Sequence, residues 1–289
     1  TGLNENAKAL MQAFWPGPLT LVINKSEIVP DAVSAGLPTV AVRFPSNKFA
    51  QQLIKACCCP VAAPSANISG RPSPTNAQDV WEDMQGKVAA ILDGGKCGIG
   101  LESTVVDTTE PVPVILRPGG ITYEMLTEVL GAVEIDPALQ GDSNYKPKAP
   151  GMKYRHYAPK SAMYLLEGEA ASCLPQCVEN ALNAGKRVGV LCSESTAQAL
   201  TQNDNASGNL LVASWGESLE ELAATLFYLL RDFDRTMPDV ILAEGVSESG
   251  IGLAVMNRMR KAAGYQIVTL ADEELRIKNG ELPDFMLKY

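Results

Sequence analysis

The amino-acid sequence predicts an irregular α+β domain followed by a smaller α/β domain with a mostly parallel sheet. The 289-residue chain is 46% hydrophobic and 20% charged, as expected of a protein with a substantial buried core. The chain divides near residues 140–160, where the stretch at 140–151 is polar, rich in Pro and Gly and without an apolar period, as is typical of a linker. We therefore predict domains at residues 1–139 and 161–289, joined by a linker at 140–160.

In the first domain, the pattern predicts strands and short helices in no regular order. The strands are predicted at Leu19–Asn24, Thr39–Phe44, Pro60–Ala63, Val88–Leu92, Ser103–Asp107 and Val112–Arg117. The helices are predicted at Lys48–Cys57, Asn76–Met84 and Tyr123–Leu130. Side chains alternate between the two faces of a strand, so Val40, Val42 and Phe44 share one face, which we expect to be buried in the core.

In the second domain, strands and helices alternate. The strands are predicted at Ala162–Glu167, Arg187–Cys192, Asn209–Ala213 and Val240–Glu244. The helices are predicted at Leu174–Ala184, Ser195–Thr201, Leu219–Phe233 and Gly252–Ala263. This alternation predicts βαβ units and a mostly parallel sheet covered on both faces, a Rossmann-like arrangement. The domain has neither common Gly-rich phosphate loop, which argues against nucleotide binding by the usual Rossmann mode.

Composition narrows the classes of partner. The formal net charge is -9, whereas a free-standing nucleic-acid binder needs a basic face, so we expect no strong autonomous nucleic-acid binding. No apolar run approaches the roughly 20 residues of a membrane helix, and we expect no membrane partner. Seven cysteines, an odd number, with no stretch typical of a secretory signal, predict a reduced, cytoplasmic setting.

Two arginines of predicted strands are candidate ligand contacts, and Arg117 ends its strand, so that its side chain can reach across a cleft. Arg43 shares a strand face with Thr39, and Arg117 is followed by a Pro-Gly-Gly turn. A guanidinium is a planar donor suited to a carboxylate or a phosphate. The pattern alone leaves open whether Arg43 is simply solvated and whether Arg117 makes only a surface ion pair.

Two stretches rich in small residues are candidate ligand loops. At residues 61–75, an apolar run stops at Pro64, and small polar residues lead to a helix that begins near Asn76. Backbone N–H groups in such a turn can bind an anion. At residues 94–107, four glycines precede Ser103 and allow close approach of the backbone to a ligand. The alternatives are a loop whose hydroxyls satisfy its own backbone, and a flexible connection.

The linker ends in an unusual mixture of side chains. Residues 149–159 combine two tyrosines with Met152, Lys153, Arg155 and His156, the only histidine of the chain. This mixture predicts a segment that docks onto another surface, and the alternative is an interdomain connector. A two-histidine metal site is excluded by the histidine count.

Six motifs together resemble one family, the threonylcarbamoyl-AMP synthases with a YrdC-like domain. Five lie in the first domain and the linker: WPGPLT at 15–20, APSANISG at 63–70, ESTVVD at 102–107, LRPG at 116–119 and PGMKYRHYAP at 150–159. The sixth, GLAVMNRMRKAA at 252–263, resembles the signature helix of the family's second domain. The resemblance implies a YrdC-like twisted-sheet domain followed by a Rossmann-like α/β domain.

The resemblance also implies an activity. Members of this family are nucleotidyltransferases that form L-threonylcarbamoyladenylate and pyrophosphate from L-threonine, bicarbonate or CO2, and ATP. Mg²⁺ accompanies the ATP, coordinated mainly by phosphates and water. The product is then passed to the machinery that transfers the threonylcarbamoyl group to tRNA position 37, giving t6A.

The family's motifs assign roles to individual residues. L-threonine is expected to contact Arg43, Ala63 and Ser103. ATP is expected to contact Thr39, Ser65, Asn67, Ser73 and Arg117. A lid over the site is expected to include Gly151, Arg155 and His156. No metal ligand comes from the protein, and no catalytic residue is assigned.

One departure from the family and two alternatives remain. Family members have an upstream segment with a Thr-Glu-Thr-Val-Tyr-Gly-Leu-like stretch and a Lys-x-Arg motif, and this chain contains neither. We therefore expect that the start of the catalytic domain is missing, which leaves open whether this chain is active by itself. The alternatives are a non-catalytic RNA-binding or regulatory YrdC-like module, and a different carbamoyl-transfer enzyme, whose additional zinc-finger-like and acylphosphatase-like segments are absent here.

Overall fold

The computed structural model describes residues 3–140, 157–202 and 208–286, which fall into two compact units. The first unit comprises Thr1–Ser65, Leu92–Gly95 and Leu101–Lys153. The second comprises Ala66–Ile91, Lys96–Gly100 and Tyr154–Tyr289, so a stretch from the first half of the sequence clusters with the second half. The predicted linker lies mostly outside the described residues, and its boundaries stay a prediction.

The helices and strands follow in chain order. Up to residue 140 they are α1 (Glu5–Phe14), β1 (Leu19–Asn24), α2 (Asp31–Ser34), β2 (Thr39–Arg43), α3 (Lys48–Cys57), α4 (Ala77–Met84), β3 (Thr104–Asp107), β4 (Val114–Arg117), α5 (Tyr123–Leu130) and β5 (Glu134–Ile135). From residue 157 they are β6 (Ala162–Leu166), α6 (Leu174–Asn183), β7 (Val188–Cys192), α7 (Glu194–Gln202), β8 (Leu210–Ser214), α8 (Leu219–Thr236), β9 (Val240–Glu244), α9 (Gly252–Ala262), β10 (Ile267–Ala271) and β11 (Glu274–Ile277).

The first unit contains a mixed sheet in the order β2-β1-β3-β4-β5. Strand β1 pairs antiparallel with β2 and parallel with β3, and β3 pairs antiparallel with β4. One face of the sheet packs against α1 and α5, and its core includes Leu10, Leu19, Leu21, Val106, Ile115 and Leu126. The other face carries the predicted ligand residues of β2, because residues of alternate parity point away from this core.

Strand β2 is less buried than its apolar residues predict. Val42 lies opposite the fully buried Leu21, as expected for the core face, yet its exposed fraction is 37% and that of Phe44 is 46%. The prediction that this face of β2 is buried is therefore wrong. The reason is that β2 is the edge strand, and the cluster built on α1 and α5 does not extend to it.

Two further predicted strands are absent from the described chain. Residues 60–63 and 88–92 are irregular and mostly exposed. Both were predicted from short apolar runs, which do not specify a strand without a partner to pair with. In the first run, Pro60 and Pro64 also remove two backbone donors at its ends.

The second unit confirms the predicted parallel sheet. Its strand order is β11-β10-β6-β9-β7-β8, and all neighbours pair in parallel except β10 with β11. Every residue of β7 is buried, which requires cover on both faces of the sheet. Helix α8 begins at a capping box formed by Ser218 and Glu221. Among the described helices, none is both long and apolar enough to cross a membrane.

Candidate functional site

A row of paired residues crosses the open face of the first sheet. Arg43 of β2 pairs with Thr20 of β1, Thr20 pairs with Val105 of β3, and Val105 pairs with Arg117 of β4. Directly paired residues point to the same face, so the two arginines flank the row on one side of the sheet. Three strand spacings separate their Cα atoms by roughly 14 Å, a gap that a small ligand can occupy.

The centre of this row is held together by Ser103. Its hydroxyl lies 2.7 Å from that of Thr20. Arg117 donates from Nε and Nη2 to the Ser103 carbonyl oxygen at 3.1 and 2.9 Å, and from Nη2 to the Ser103 hydroxyl at 3.2 Å. Ser103 is only 3% exposed. The Arg117 guanidinium is therefore held against Ser103 before any ligand arrives.

Arg43 differs from Arg117 in its surroundings. Its side chain is exposed, and within the described ranges no hydrogen bond or ion pair is found for its guanidinium. A guanidinium that keeps its donors available can form a bidentate contact with a carboxylate. Arg43 is thus the cation of the row that is open to an anionic ligand.

The turn after Arg117 lies against the backbone of residues 102–104. A Cβ atom placed on Gly119 would lie 2.4 Å from the Glu102 carbonyl oxygen and 2.4 Å from the Thr104 backbone nitrogen. Both neighbours are main-chain atoms, so neither can rotate away as the end of a flexible side chain could. Gly119 therefore allows the turn to approach the strand that positions Ser103.

Replacing Gly119 with alanine is expected to destabilise the protein by about 1–3 kcal/mol, because backbone must move to admit the methyl group. Urea unfolding measures this cost. Gly98→Ala is the control, since a Cβ at Gly98 meets no atom within 4 Å, and we expect it to change stability by less than about 0.5 kcal/mol. Equal costs for the two substitutions would contradict the close approach at Gly119.

In the second unit, the segment Ala66–Ser73, here called the Ala66–Ser73 loop, is fastened by Asp83 of α4. The carboxylate accepts hydrogen bonds from the Ile68 backbone N–H at 3.1 Å, from Arg71 Nη1 at 2.7 Å and from Arg231 Nη2 at 2.7 Å. Arg231, on α8, also donates from Nε to the Pro72 carbonyl oxygen at 3.0 Å. Asp83 is 1% exposed and Arg231 4% exposed, so this ion pair is almost completely removed from water.

The surroundings of Asp83 shift its pKa. Burial alone raises it, but hydrogen bonds from Arg231, Arg71 and the Ile68 N–H outweigh burial and lower the pKa from 3.8 to about 2. A depressed folded-state pKa gives stability that is complete above the unfolded-state value and is lost as the pH falls through the folded-state value.

We therefore expect the wild-type protein to lose about 2 kcal/mol of stability through Asp83 as the pH falls from about 5 to about 2. Asp83→Asn removes the titrating group and should not show this part of the loss. Denaturant unfolding of both proteins at several pH values gives the comparison. A stability difference between them that stays constant over this range would count against the shifted pKa.

Asn67 lies in the same loop, and its side-chain oxygen is a hydrogen-bond acceptor. Its amide nitrogen donates to the carbonyl oxygens of Ile68 at 2.9 Å and Arg71 at 3.3 Å. Its Oδ1 atom is buried and finds no donor among the described residues. A buried acceptor without a donor costs free energy, so a ligand donor at this position is favoured.

The sequence-predicted site residues divide between the two units. The first unit holds Thr39, Arg43, Ala63, Ser65, Ser103 and Arg117, and the second holds Asn67 and Ser73. The sheet brings Arg43, Ser103 and Arg117 into one neighbourhood, with Arg117 bonded to Ser103. Ala63 and Ser65 are exposed, Thr39 is half-buried and Ser73 is buried. Gly151, Arg155 and His156 lie outside the described residues.

Sequence reasoning missed three residues of this arrangement, namely Thr20, Asp83 and Arg231. A signal existed for Arg231, which follows Ala223 and Phe227 at intervals of four on α8 and so falls on its apolar stripe. A charge in such a position is expected to have a buried partner. No comparable signal marked Asp83 as that partner, since the two lie 148 residues apart.

A protein-bound metal is not suggested by the side chains in the described ranges. Among them, no group of three or more His, Cys, Asp or Glu residues could hold a metal ion.

Comparisons with known proteins identify the relatives of the chain. A family profile described as "Telomere recombination", and named after Sua5, YciO and YrdC, matches residues 1–119. A second, described as "Threonylcarbamoyl-AMP synthase, C-terminal domain", matches residues 121–264. The two profiles together cover both halves of the sequence.

Individual relatives are similar over most of their length. The threonylcarbamoyl-AMP synthase of Pyrococcus abyssi is 50% identical over 267 residues, which is 91% of this chain and 75% of that protein. The Bacillus subtilis enzyme of the same name is 44% identical with the same shares. A crystal structure of P. abyssi Sua5 complexed with L-threonine is 47% identical, with a TM-score of 0.84, covering 94% of this chain and 77% of that chain. The chain belongs to the threonylcarbamoyl-AMP synthase family.

Proposed function

We propose that this protein is a nucleotidyltransferase that forms L-threonylcarbamoyladenylate and pyrophosphate from L-threonine, bicarbonate or CO2, and ATP. The observation that carries the proposal is the row Arg43–Thr20–Val105–Arg117, with Ser103 at its centre, in a member of this family. It combines one open guanidinium with hydroxyls that are already oriented. The P. abyssi relative has been crystallised with L-threonine, which supports an amino acid as a ligand of this chain.

On the threonine side, we assign the carboxylate to Arg43. A bidentate contact orients the amino acid, because both carboxylate oxygens are engaged. Ser103 and Ala63 line the same pocket in this assignment, and the Thr20 hydroxyl holds that of Ser103 in place. The threonine amine is then left available for reaction.

On the nucleotide side, we assign ATP to Thr39, Ser65, Asn67, Ser73 and Arg117. The buried Oδ1 of Asn67 supports this, since an exocyclic amino group or a ribose hydroxyl can donate to it. Mg²⁺ enters with ATP, held mainly by phosphate oxygens and water, and neutralises phosphate charge. The protein side chains then orient the triphosphate.

The chemistry needs positioning more than covalent help. The threonine amine attacks CO2 and loses a proton to give a carbamate, and a carbamate oxygen attacks the α-phosphorus of ATP. The bond from the α-phosphorus to the bridging oxygen breaks, and its electron pair leaves with pyrophosphate. Such steps are accelerated chiefly by alignment of the reactants and by fixed positive charge. Residues Gly151, Arg155 and His156 are proposed to close over the site and exclude water from the labile product.

Two further assignments belong to the same proposal. The product is consumed by a transferase system that modifies tRNA at position 37, and the protein works in the cytoplasm. With a formal net charge of -9, the chain is poorly suited to hold tRNA by itself.

The direct test is to incubate the 289-residue chain with ATP, Mg²⁺, L-threonine and ¹³C-bicarbonate. We expect pyrophosphate release that requires threonine, and a threonylcarbamoyl-AMP whose mass shifts by one unit with the label. Pyrophosphate release that is independent of threonine would contradict the proposal. Salt-sensitive tRNA binding without any nucleotide turnover would favour a non-catalytic RNA-binding module instead.

A further inference from the structure

One arginine of α8, Arg231, is bonded both to the Ala66–Ser73 loop and to the residue that fastens it. The loop has no helix or strand of its own, so its conformation depends on contacts to neighbouring elements. Near its start, the Ile68 N–H is bound by Asp83, and near its end, the Pro72 carbonyl is bound by Arg231. Asp83 and Arg231 are in turn bound to each other.

The contact geometry requires a guanidinium. Arg231 uses Nε for the loop carbonyl at 3.0 Å and Nη2 for the Asp83 carboxylate at 2.7 Å, so one rigid plane joins the loop to α4. A lysine ammonium is a single point donor on a flexible stem and cannot reproduce both directions at once. Arg231 therefore contributes the fixed directions of its two hydrogen bonds as well as its positive charge.

Packing does not hold this part of the loop from every side. Pro72 and Ser73 are buried, but a cavity of about 160 Å³ lies beside them, and Arg71, Pro72 and Arg231 are among its lining residues. If the bond to Arg231 were removed, the Pro72 carbonyl would lose its donor, and the loop would have space into which it could move. Polar contacts therefore add to packing in restraining this end of the loop.

We propose that Arg231 is a positioning residue of the nucleotide site. It holds the Ala66–Ser73 loop so that Asn67 and Ser73, near its two ends, keep the spacing that ATP requires. This inference rests on the proposed function, because the nucleotide role of those two residues is part of it. In this proposal, a residue from the second half of the sequence acts in the reaction indirectly, by holding in place a loop that comes from the first half.

Arg235, one turn further along α8, provides a matched control. It donates to Asp79 at 2.5 Å and to Glu82 at 3.0 Å, both on α4, and no bond from it to the loop is found among the described residues. Arg231→Met and Arg235→Met remove the same charge from the same helix. Only the first removes a contact to the loop.

The experiment compares both variants with the wild-type chain by two measurements. Hydrogen–deuterium exchange of peptides covering residues 66–73 reports the loop without any ligand. Titration calorimetry with a non-hydrolysable ATP analogue plus Mg²⁺, and separately with L-threonine, reports the site. For Arg231→Met we expect faster exchange and at least a roughly tenfold weaker affinity for the analogue, with threonine affinity within about twofold. For Arg235→Met we expect both affinities and the exchange to stay within about twofold.

Arg231→Lys keeps a positive charge next to Asp83, and it is the variant to measure if Arg231→Met does not fold. We expect it to recover most of the thermal stability while its affinity for the ATP analogue stays reduced, a split that a purely structural role does not produce. Unchanged analogue affinity despite faster loop exchange would overturn the inference, as would equal effects of the two methionine variants. A wild-type chain that binds no analogue would overturn the proposed function and the nucleotide part of this inference, while the exchange data alone would still show whether Arg231 holds the loop.

Discussion

Replacing Asp83 with alanine is expected to lower the free energy of unfolding by about 3–5 kcal/mol, the usual cost of leaving one partner of a buried ion pair alone. Arg231 would keep its charge at 4% exposure, and among the described residues the Pro72 carbonyl would be its remaining hydrogen-bond partner. The Ile68 N–H would also lose its acceptor. Guanidinium unfolding followed by far-ultraviolet circular dichroism measures the loss.

The neighbouring residue supplies the control for this prediction. Glu82 lies next to Asp83 on α4 and pairs with Arg235, but both side chains are partly exposed. Solvent-exposed pairs contribute little, so Glu82→Ala should cost less than about 1 kcal/mol. If the two alanine variants lost similar amounts, the buried cluster would not be the main stabilising contact of this loop.

Replacing Arg43 with alanine is expected to weaken L-threonine binding by about 2–5 kcal/mol and to leave ATP binding nearly unchanged. A charge-assisted bidentate contact is lost, and the ligand carboxylate is left without its cation. The effect on stability should be small, because the Arg43 side chain is exposed on an edge strand. Titration calorimetry with each ligand measures the two affinities.

Two other variants separate geometry from charge in this prediction. Arg43→Lys keeps the charge but loses the planar donor, and should fall between the wild type and the alanine variant. Lys48→Ala removes an equal charge from the start of α3, outside the row, and should change threonine affinity by less than about twofold. Equal losses of threonine and ATP affinity in Arg43→Ala would refute the assignment of Arg43 to the amino acid.

The second half of the fold was predictable because its signals are local. Each strand of β6 to β9 is an apolar run followed by an amphipathic helix, and the predicted bounds differ from the observed ones by only a few residues. The hairpin of β10 and β11 was not predicted. In the first half, α1 was missed, and the apolar runs at 60–63 and 88–92 were mistaken for strands. Whether such a short apolar run forms a strand depends on whether a neighbouring strand pairs with it, which the sequence does not show.

For the candidate site, the motifs identified individual residues but did not show which of them contact one another. Alternation along β2 correctly placed Thr39 and Arg43 on the face opposite the core. The bond from Arg117 to Ser103 could not be foreseen, because it depends on the pairing of β3 with β4. The same holds for the pair of Asp83 and Arg231, which only the tertiary fold brings together.

The placement of residues 66–91 has a consequence for the order of events during synthesis. Pro72 and Asp83 leave the ribosome 159 and 148 residues ahead of Arg231, their partner on α8. At about 5–20 residues per second, translation of that interval takes on the order of ten seconds. During this time Asp83 has its contacts to Arg71 and Ile68 within reach, but not the one to α8. The Ala66–Ser73 loop therefore cannot reach its final form until α8 has been made, although its own residues are among the earlier ones.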